Sequence, residues 1–412
     1  MSGNKLTSYP KEKIKILFLE NISEAAVLEL KEAGYANIQR FSKALSEEEL
    51  IGEIKDVHIL GIRSKTQITD KVLDAARKLQ MIGCFCIGTN QVNLKAATEK
   101  GIAVFNAPYS NTRSVAELII GLSILLIRRI PDKDRAAHAG VWMKESKGSY
   151  ELRGKTLGII GYGNIGSQVS VLAESLGMKV VYFDVVTRLP LGNAEPVKTL
   201  KELMTKSDVI TLHVPENSTT KNMINKNTLK YVKKGCILMN YSRGEVVDIP
   251  ALSESLQAGA ISGAAIDVFP VEPEKNGAEF RSPLQNLSNV ILTPHIGGST
   301  EEAQFNIGLD VSNKLLQYLE NGSSFGCLTV PDMNIPVLMG THRILHIHKN
   351  VPGVLSELNT ALSKNKINIL GQYLKTNEQI GYVVLDVETG LSKKAFSLVN
   401  EVKHSIKSRM LY

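Results

Sequence analysis

The 412-residue sequence predicts an α/β protein: two doubly wound parallel-sheet domains, then a small plait of strands and helices. Three observations carry that expectation. Short apolar runs alternate with amphipathic stretches across residues 14–293. A glycine loop joins one of those runs to a helical stretch at residues 161–166. After residue 340 the pattern changes to strand, helix, strand, strand, helix, strand.

The elements follow in order. Residues 14–19 (IKILFL) read as a strand. Residues 23–33 read as an amphipathic helix, with Ala26, Val27 and Leu30 on one face and Gly34 as its stop. Residues 57–61 are a second strand and 68–79 a second helix, with Asp70 near its start. Strands are also expected at 81–87 and 103–105. Such alternation means a parallel sheet covered on both faces. A long helix spans about 114–129, and a polar, hinge-like stretch covers 144–153. Strands then recur at 156–160, 179–183, 209–213, 236–240, 264–268 and 290–293, a spacing that fits a nucleotide-binding sheet. Another long helix, about 300–320, ends at Asn321-Gly322, before a proline-containing connector at 331–340. Within the tail, 344–348, 371–375 and 381–387 read as strands, and 353–365 and 392–403 as helices. The result is a ferredoxin-like plait.

Composition narrows the function classes. Hydrophobic residues make up 43% and charged residues 22%, as in ordinary globular proteins. The longest apolar stretch, 118–127, is well short of the roughly 20 residues a membrane span needs, and reads as a buried helix. Residues 1–13 are polar with no apolar signal region, so a cytoplasmic setting is expected. Cys84, Cys86, Cys236 and Cys327 lack redox or zinc spacing and read as reduced thiols; no metal is expected. Net charge is +7, but the lysines are spread along the chain and aromatic residues are few. An anionic small molecule fits that field without nucleic acid or a membrane as partner.

The glycine loop is Gly161-Tyr162-Gly163-Asn164-Ile165-Gly166. It follows the apolar run 157–160 and precedes a helical stretch. The next apolar run, 180–183, ends in Asp184, close to the roughly 20 residues expected between loop and acid. Gly161 permits a tight turn, Gly163 lets a pyrophosphate approach the backbone, and Gly166 lets helix and strand pack closely. The helix N-terminus attracts the pyrophosphate. The Asp184 carboxylate accepts from the ribose hydroxyls and repels a 2′-phosphate, which favours NAD; Arg188, four residues on, is the one nearby candidate to host that phosphate. The domain is therefore expected to be Rossmann-like.

Hydride transfer to a ketone needs a positive group to polarise the carbonyl and hold a substrate carboxylate, an acid to protonate the new alkoxide, and benefits from a carboxylate that keeps that acid charged. Arg243, Glu272 and His295 each lie just beyond an apolar strand, where open parallel sheets bind ligands. The motifs Gly161 to Gly166, Leu212-His213-Val214-Pro215, Ser242-Arg243-Gly244, Asp267 to Pro273 and Pro294-His295-Ile296-Gly297-Gly298 together resemble the D-2-hydroxyacid dehydrogenase family. The resemblance implies that Arg243 binds the substrate, His295 is the acid/base, and Glu272 pairs with the imidazole. It also implies cofactor contacts from Gly161, Gly163, Asn164, Ile165, Gly166, Asp184, His213, Pro215, Tyr241, Ser242, Arg243, Asp267, His295 and Gly298. The family usually has a small residue where this chain has Tyr241.

The resemblance extends from about residue 14 to 412, to the short, serine-inhibited branch that acts on 3-phospho-D-glycerate. The motifs are Arg63-Ser64-Lys65 and the stretch from Asn106 through Asn111 to Glu117. It implies that Arg63, Ser64, Lys65 and Asn111 hold the substrate phosphate. The tail resembles an ACT domain, which implies an L-serine effector bound by His348, Asn350 and Asn368 at an interface of two such domains, and a homotetramer joined through NAD-domain and ACT-domain contacts. Asn350 as a helix cap and Asn368 as a turn residue stay open as alternatives. Residues 1–110 and 299–335 are expected to form a split substrate domain, 111–298 the inserted NAD domain, and 340–412 the sensor. Another enzyme of the family, reducing glyoxylate, hydroxypyruvate or 2-oxoglutarate, and an NAD-sensing corepressor-like protein are the alternative readings.

Overall fold

The computed structural model describes residues 9–273, 277–337 and 340–411. Most of the polar N-terminal stretch examined for a signal region, residues 1–8, and the final Tyr412 lie outside them. The chain divides into two compact units, Met1–Ser110 with Gln304–Tyr412, and Asn111–Ala303.

The first unit is built on a five-stranded parallel sheet. Its strand order is Ile38–Arg40, Ile16–Phe18, Ile59–Ile62, Met81–Cys84, Ala103–Asn106. The second strand in the chain lies at the edge, so the order reverses between Ile16–Phe18 and Ile59–Ile62. Apart from edge strand Ile38–Arg40, all the strands are buried along their whole length, which explains their apolar runs. Helix Glu24–Glu32 starts at Ser23, whose hydroxyl accepts from the Ala25 N–H, and buries Ala26, Val27 and Leu30. The helix expected over 68–79 covers only Asp70–Ala75. Ala76 leaves helical geometry, and Leu79 is buried in the core, so the chain turns in before strand Met81–Cys84.

The plait belongs to the same unit. Its antiparallel sheet runs Ile369–Thr376, Ile380–Val387, His342–Lys349, Ser405–Leu411. Helices Val354–Lys364 and Ser392–Glu401 cover one face, packing Leu358, Leu362, Ala395 and Val399 on Ile344, Val383 and Leu385. The opposite face shares a core with the first sheet: Leu345, Ile347, Tyr382 and Val384 cluster with Phe105, Leu315 and Tyr318. Polar contacts reinforce this docking. Buried Arg343 makes a two-pronged pair with Asp386 and donates to the Asn321 and Pro336 carbonyls, and the Tyr382 hydroxyl donates to the Gly322 carbonyl.

The second unit is a seven-stranded parallel sheet with order Val290–Leu292, Ile261–Ile266, Cys236–Asn240, Val209–Leu212, Thr156–Ile160, Lys179–Phe183, Ala194–Pro196. Its first strand lies inside the sheet, so the winding reverses between Thr156–Ile160 and Val209–Leu212. The expected strand 264–268 is shifted to Ile261–Ile266, and Ala194–Pro196 is an added edge strand. The apolar stretch 118–127 lies in helix Thr112–Ile127. This helix is buried on one face only: Val115, Ile119, Leu122 and Leu126 face the core, while Ile124 and Leu125 are exposed.

Candidate active site

The nucleotide loop sits at the winding reversal of the second unit. Gly161 has φ +90°, and a Cβ there would lie 2.4 Å from the His213 carbonyl oxygen, so the turn excludes any side chain. A Cβ on Gly166 would lie 2.3 Å from the Gly161 oxygen. Around Gly163, by contrast, a Cβ would meet nothing within 4 Å among the described residues. Gly163 opens helix Asn164–Ser175 with no side-chain cap, which leaves the first-turn amides of Asn164 and Ile165 available to an anion.

Asp184 is held in place by its own backbone surroundings. It accepts the Tyr162 N–H at 2.8 Å and the Val186 N–H at 2.9 Å. The Arg188 Nε lies 3.7 Å from the same carboxylate, so this arginine is paired with the acid. Opposite the loop, His213 bonds Thr211 Oγ1 at 3.0 Å, and burial drives its pKa down to about 3, so the ring is neutral. Among the described residues, its buried Nδ1 has no partner. The Pro215 carbonyl accepts from Thr220, which fixes the loop after His213. An open glycine face, uncapped amides, an anchored acid and a spare imidazole nitrogen fit a dinucleotide.

Three later loops of the same unit carry Arg243, Glu272 and His295, the residues expected to form the acid/base set. Asn240 ends its strand with the side-chain oxygen accepting the Ser242 N–H and hydroxyl, while its amide donates to the Arg243 carbonyl. That turn aims Arg243, whose guanidinium also bonds the Ser242 carbonyl. A Cβ on Gly244 would lie 2.1 Å from the Phe269 carbonyl carbon, so the Arg243 and Glu272 loops approach closely only with glycine there. Glu272 Oε1 accepts the Phe269 N–H, and Oε2 lies 2.8 Å from His295 Nδ1. The bond to Glu272 raises the His295 pKa above the ordinary histidine value, against desolvation and the Arg243 charge. Burial pushes the Glu272 carboxyl up, but the bonds from His295 and Phe269 more than offset it, and its pKa falls. A carboxylate at Nδ1 places the ring proton there and leaves Nε2 for a substrate.

Asp267 organises the histidine loop. It accepts from Thr293 Oγ1, Ile296 N–H and Gly297 N–H, and its carbonyl accepts the His295 N–H. His295 itself has φ +54°, a left-handed conformation held by these bonds. Tyr241 is buried with its hydroxyl on Thr293, and its ring lies where a Gly297 Cβ would touch it. Asn111 belongs to this unit too: a Cβ on Gly298 would lie 2.0 Å from its amide nitrogen, and its buried Oδ1 has no partner among the described residues. Sequence reasoning missed Asn240 and Thr293; for Asn240, a buried polar residue closing an apolar strand is a usable signal.

Arg63, Ser64 and Lys65 lie in the first unit, after strand Ile59–Ile62, with Ser64 and Lys65 exposed and Arg63 half-buried. Two buried residues missing from the sequence reading hold this loop, Glu20 and Gln91. In the plait, His348 donates from Nδ1 to the Lys349 carbonyl, and its Nε2, buried beside the stacked ring of His346, has no partner among the described residues. Asn350 donates to the Asn377 carbonyl, and Asn368 is exposed next to strand Ile369–Thr376. Among the described residues there is no cluster of metal-ligating side chains and no helix long and apolar enough to cross a membrane.

Comparison with known proteins places this geometry. Residues 120–297 match the D-isomer specific 2-hydroxyacid dehydrogenase NAD-binding domain, and residues 344–407 match an AHAS small subunit-like ACT domain. The D-3-phosphoglycerate dehydrogenase of Haemophilus influenzae is 51% identical over 405 residues, covering 98% of this chain and 99% of the relative. That of Dictyostelium discoideum is 49% identical over 406 residues, with the same coverage of both. Among solved structures, D-lactate dehydrogenase from Aquifex aeolicus, complexed with NAD and lactic acid, is 27% identical with a TM-score of 0.67, covering 77% of this chain and all of that one.

Proposed function

The chain belongs to the D-isomer-specific 2-hydroxyacid dehydrogenase family, and from that premise we propose that it oxidises 3-phospho-D-glycerate to 3-phosphooxypyruvate with NAD, the first step of L-serine biosynthesis. The full-length relatives named for this activity support the substrate. The observation that carries the chemistry is the 2.8 Å His295–Glu272 pair, on loops of the unit that bears the nucleotide site.

When bound, NAD supplies the hydride acceptor. His295 Nε2 takes the proton of the 2-hydroxyl, and Glu272 stabilises the imidazolium so formed. Arg243 holds the substrate carboxylate and stabilises the growing carbonyl dipole. Arg63, Ser64, Lys65 and Asn111 bind the phosphate by charge and hydrogen bonds. In the reductive direction His295 returns the proton. Reduction of 2-oxoglutarate is a side activity of the same site, its distal carboxylate standing where the phosphate stands.

We read residues 1–110 with 299–335 as the substrate domain, 111–298 as the NAD domain and 340–412 as a sensor for L-serine, with His348, Asn350 and Asn368 as effector contacts. The unpartnered His348 Nε2 and the ACT match support that reading. A cytoplasmic homotetramer is the accompanying assembly. The test follows NADH formation from 3-phosphoglycerate with and without L-serine. Turnover that serine suppresses is expected, and His295→Asn should lower kcat by about 10²-fold or more with NAD still bound. Near-normal turnover in that variant overturns the mechanism. Activity that ignores serine removes the sensor reading alone.

A further inference from the structure

We propose that Glu20 and Gln91 are positioning residues for the substrate phosphate, acting as a two-sided brace on the backbone of residues 63–66. The proposal rests on the reading of Arg63, Ser64 and Lys65 as the phosphate grip. Glu20 follows strand Ile16–Phe18, and the grip follows strand Ile59–Ile62. These strands are neighbours at the winding reversal of the first sheet, where open α/β sheets bind ligands.

The contacts are specific. Glu20 is 8% exposed, and its carboxylate accepts three backbone N–H groups: Arg63 at 3.2 Å and Thr66 at 2.9 Å on Oε1, and Lys65 at 3.0 Å on Oε2. From the other side, Gln91 donates its amide to the Arg63 carbonyl at 2.6 Å and also contacts the Gly88 carbonyl. Gln91 is buried as well. The Arg63 backbone is thus held at both its N–H and its C=O by buried side chains.

Backbone geometry points the same way. Glu20 has φ +60° and Asn21 φ +53°, a left-handed pair that L side chains adopt rarely. The Glu20 N–H bonds the Lys43 carbonyl and the Leu19 N–H bonds the Gly61 carbonyl, which keeps the turn in place. The turn swings the Glu20 carboxylate under the neighbouring loop. The acid also fills the nest of loop amides, so an incoming phosphate is left to the guanidinium, ammonium and hydroxyl of Arg63, Lys65 and Ser64.

The experiment compares Glu20→Gln with wild type in the full-length enzyme. KM for 3-phosphoglycerate should rise about ten- to a hundred-fold, with kcat much less affected. KM for NAD, and kcat/KM for D-glycerate, which lacks the phosphate, should stay near wild type. Equal losses on both acids mean general structural damage and overturn the brace. Arg63→Ala, measured in parallel, tests the underlying reading. If it leaves 3-phosphoglycerate kinetics intact, the grip is wrong. If it raises KM while Glu20→Gln does not, the brace alone is wrong. In the Arg63→Ala background, Glu20→Gln should add little; a fully additive loss also overturns the proposal. Should Glu20→Gln fail to fold, Gln91→Met removes the other side of the brace, and the same phosphate-selective rise in KM is required of it.

Discussion

Replacing Glu272 by glutamine probes the acid/base pair with little change of shape. His295 Nδ1 and Glu272 Oε2 are 2.8 Å apart, with side chains 52% and 36% exposed. A sheltered hydrogen bond to an ion contributes about 1.5–3 kcal/mol, and an exposed ion pair about 0.2–1 kcal/mol. This half-exposed pair lies between them, at about 1 kcal/mol. Glu272 holds the His295 pKa up, so the glutamine variant lowers it. Oxidation needs the neutral imidazole, and it fails as pH drops through that pKa. The acid limb of kcat/KM should therefore move to lower pH. The alkaline limb of the reverse reaction, which needs the imidazolium, should move the same way. The assay is NADH formation and consumption across about pH 5 to 9. The plateau rate should also fall about fivefold, the factor that about 1 kcal/mol of lost support for the charged ring represents. An acid limb that stays in place or moves up refutes the role given to Glu272.

Asp184→Ala should lower kcat/KM for NAD about ten- to a hundred-fold and improve NADP, because Arg188 loses its carboxylate partner; an unchanged ratio between the two cofactors counts against the anchoring argument. Asp386→Asn should destabilise the chain by about 3–5 kcal/mol in urea unfolding, since it strands the buried Arg343 charge. Arg343→Met combined with Asp386→Leu should recover most of that loss, and a double variant as weak as the single one would argue against desolvation as the cause. His346 is buried with its pKa lowered from 6.5 to about 4. The unfolded chain binds that proton more readily, so stability is present above pH 6.5 and is lost as pH falls toward 4. His346→Gln should flatten this dependence in thermal melts over the same window.

What could be read directly from sequence was whatever burial writes into local pattern. Strands Thr156–Ile160 and Lys179–Phe183 lie inside a parallel sheet, so they appear as unbroken apolar runs. The glycine loop, Asp184, Arg243, Glu272 and His295 were legible because each stands beside such a run. Edge strands were not: Ile38–Arg40 exposes Gln39 and Arg40, and Ala194–Pro196 exposes Glu195 and Pro196, so neither carries the apolar signature. Long-range polar partnerships were equally invisible. Nothing near Arg63 in the chain announces Glu20 or Gln91, and nothing near Arg343 announces Asp386, because those bonds exist only after distant strands become neighbours. The sequence by itself determined the fold class and the NAD-binding unit, and it pointed to Arg243, Glu272 and His295 as the candidate acid/base set. Only the tertiary structure decided what braces the 63–66 loop and that the plait shares a core with the first sheet, because a buried polar group takes its partner from whatever the packed chain brings within hydrogen-bond reach.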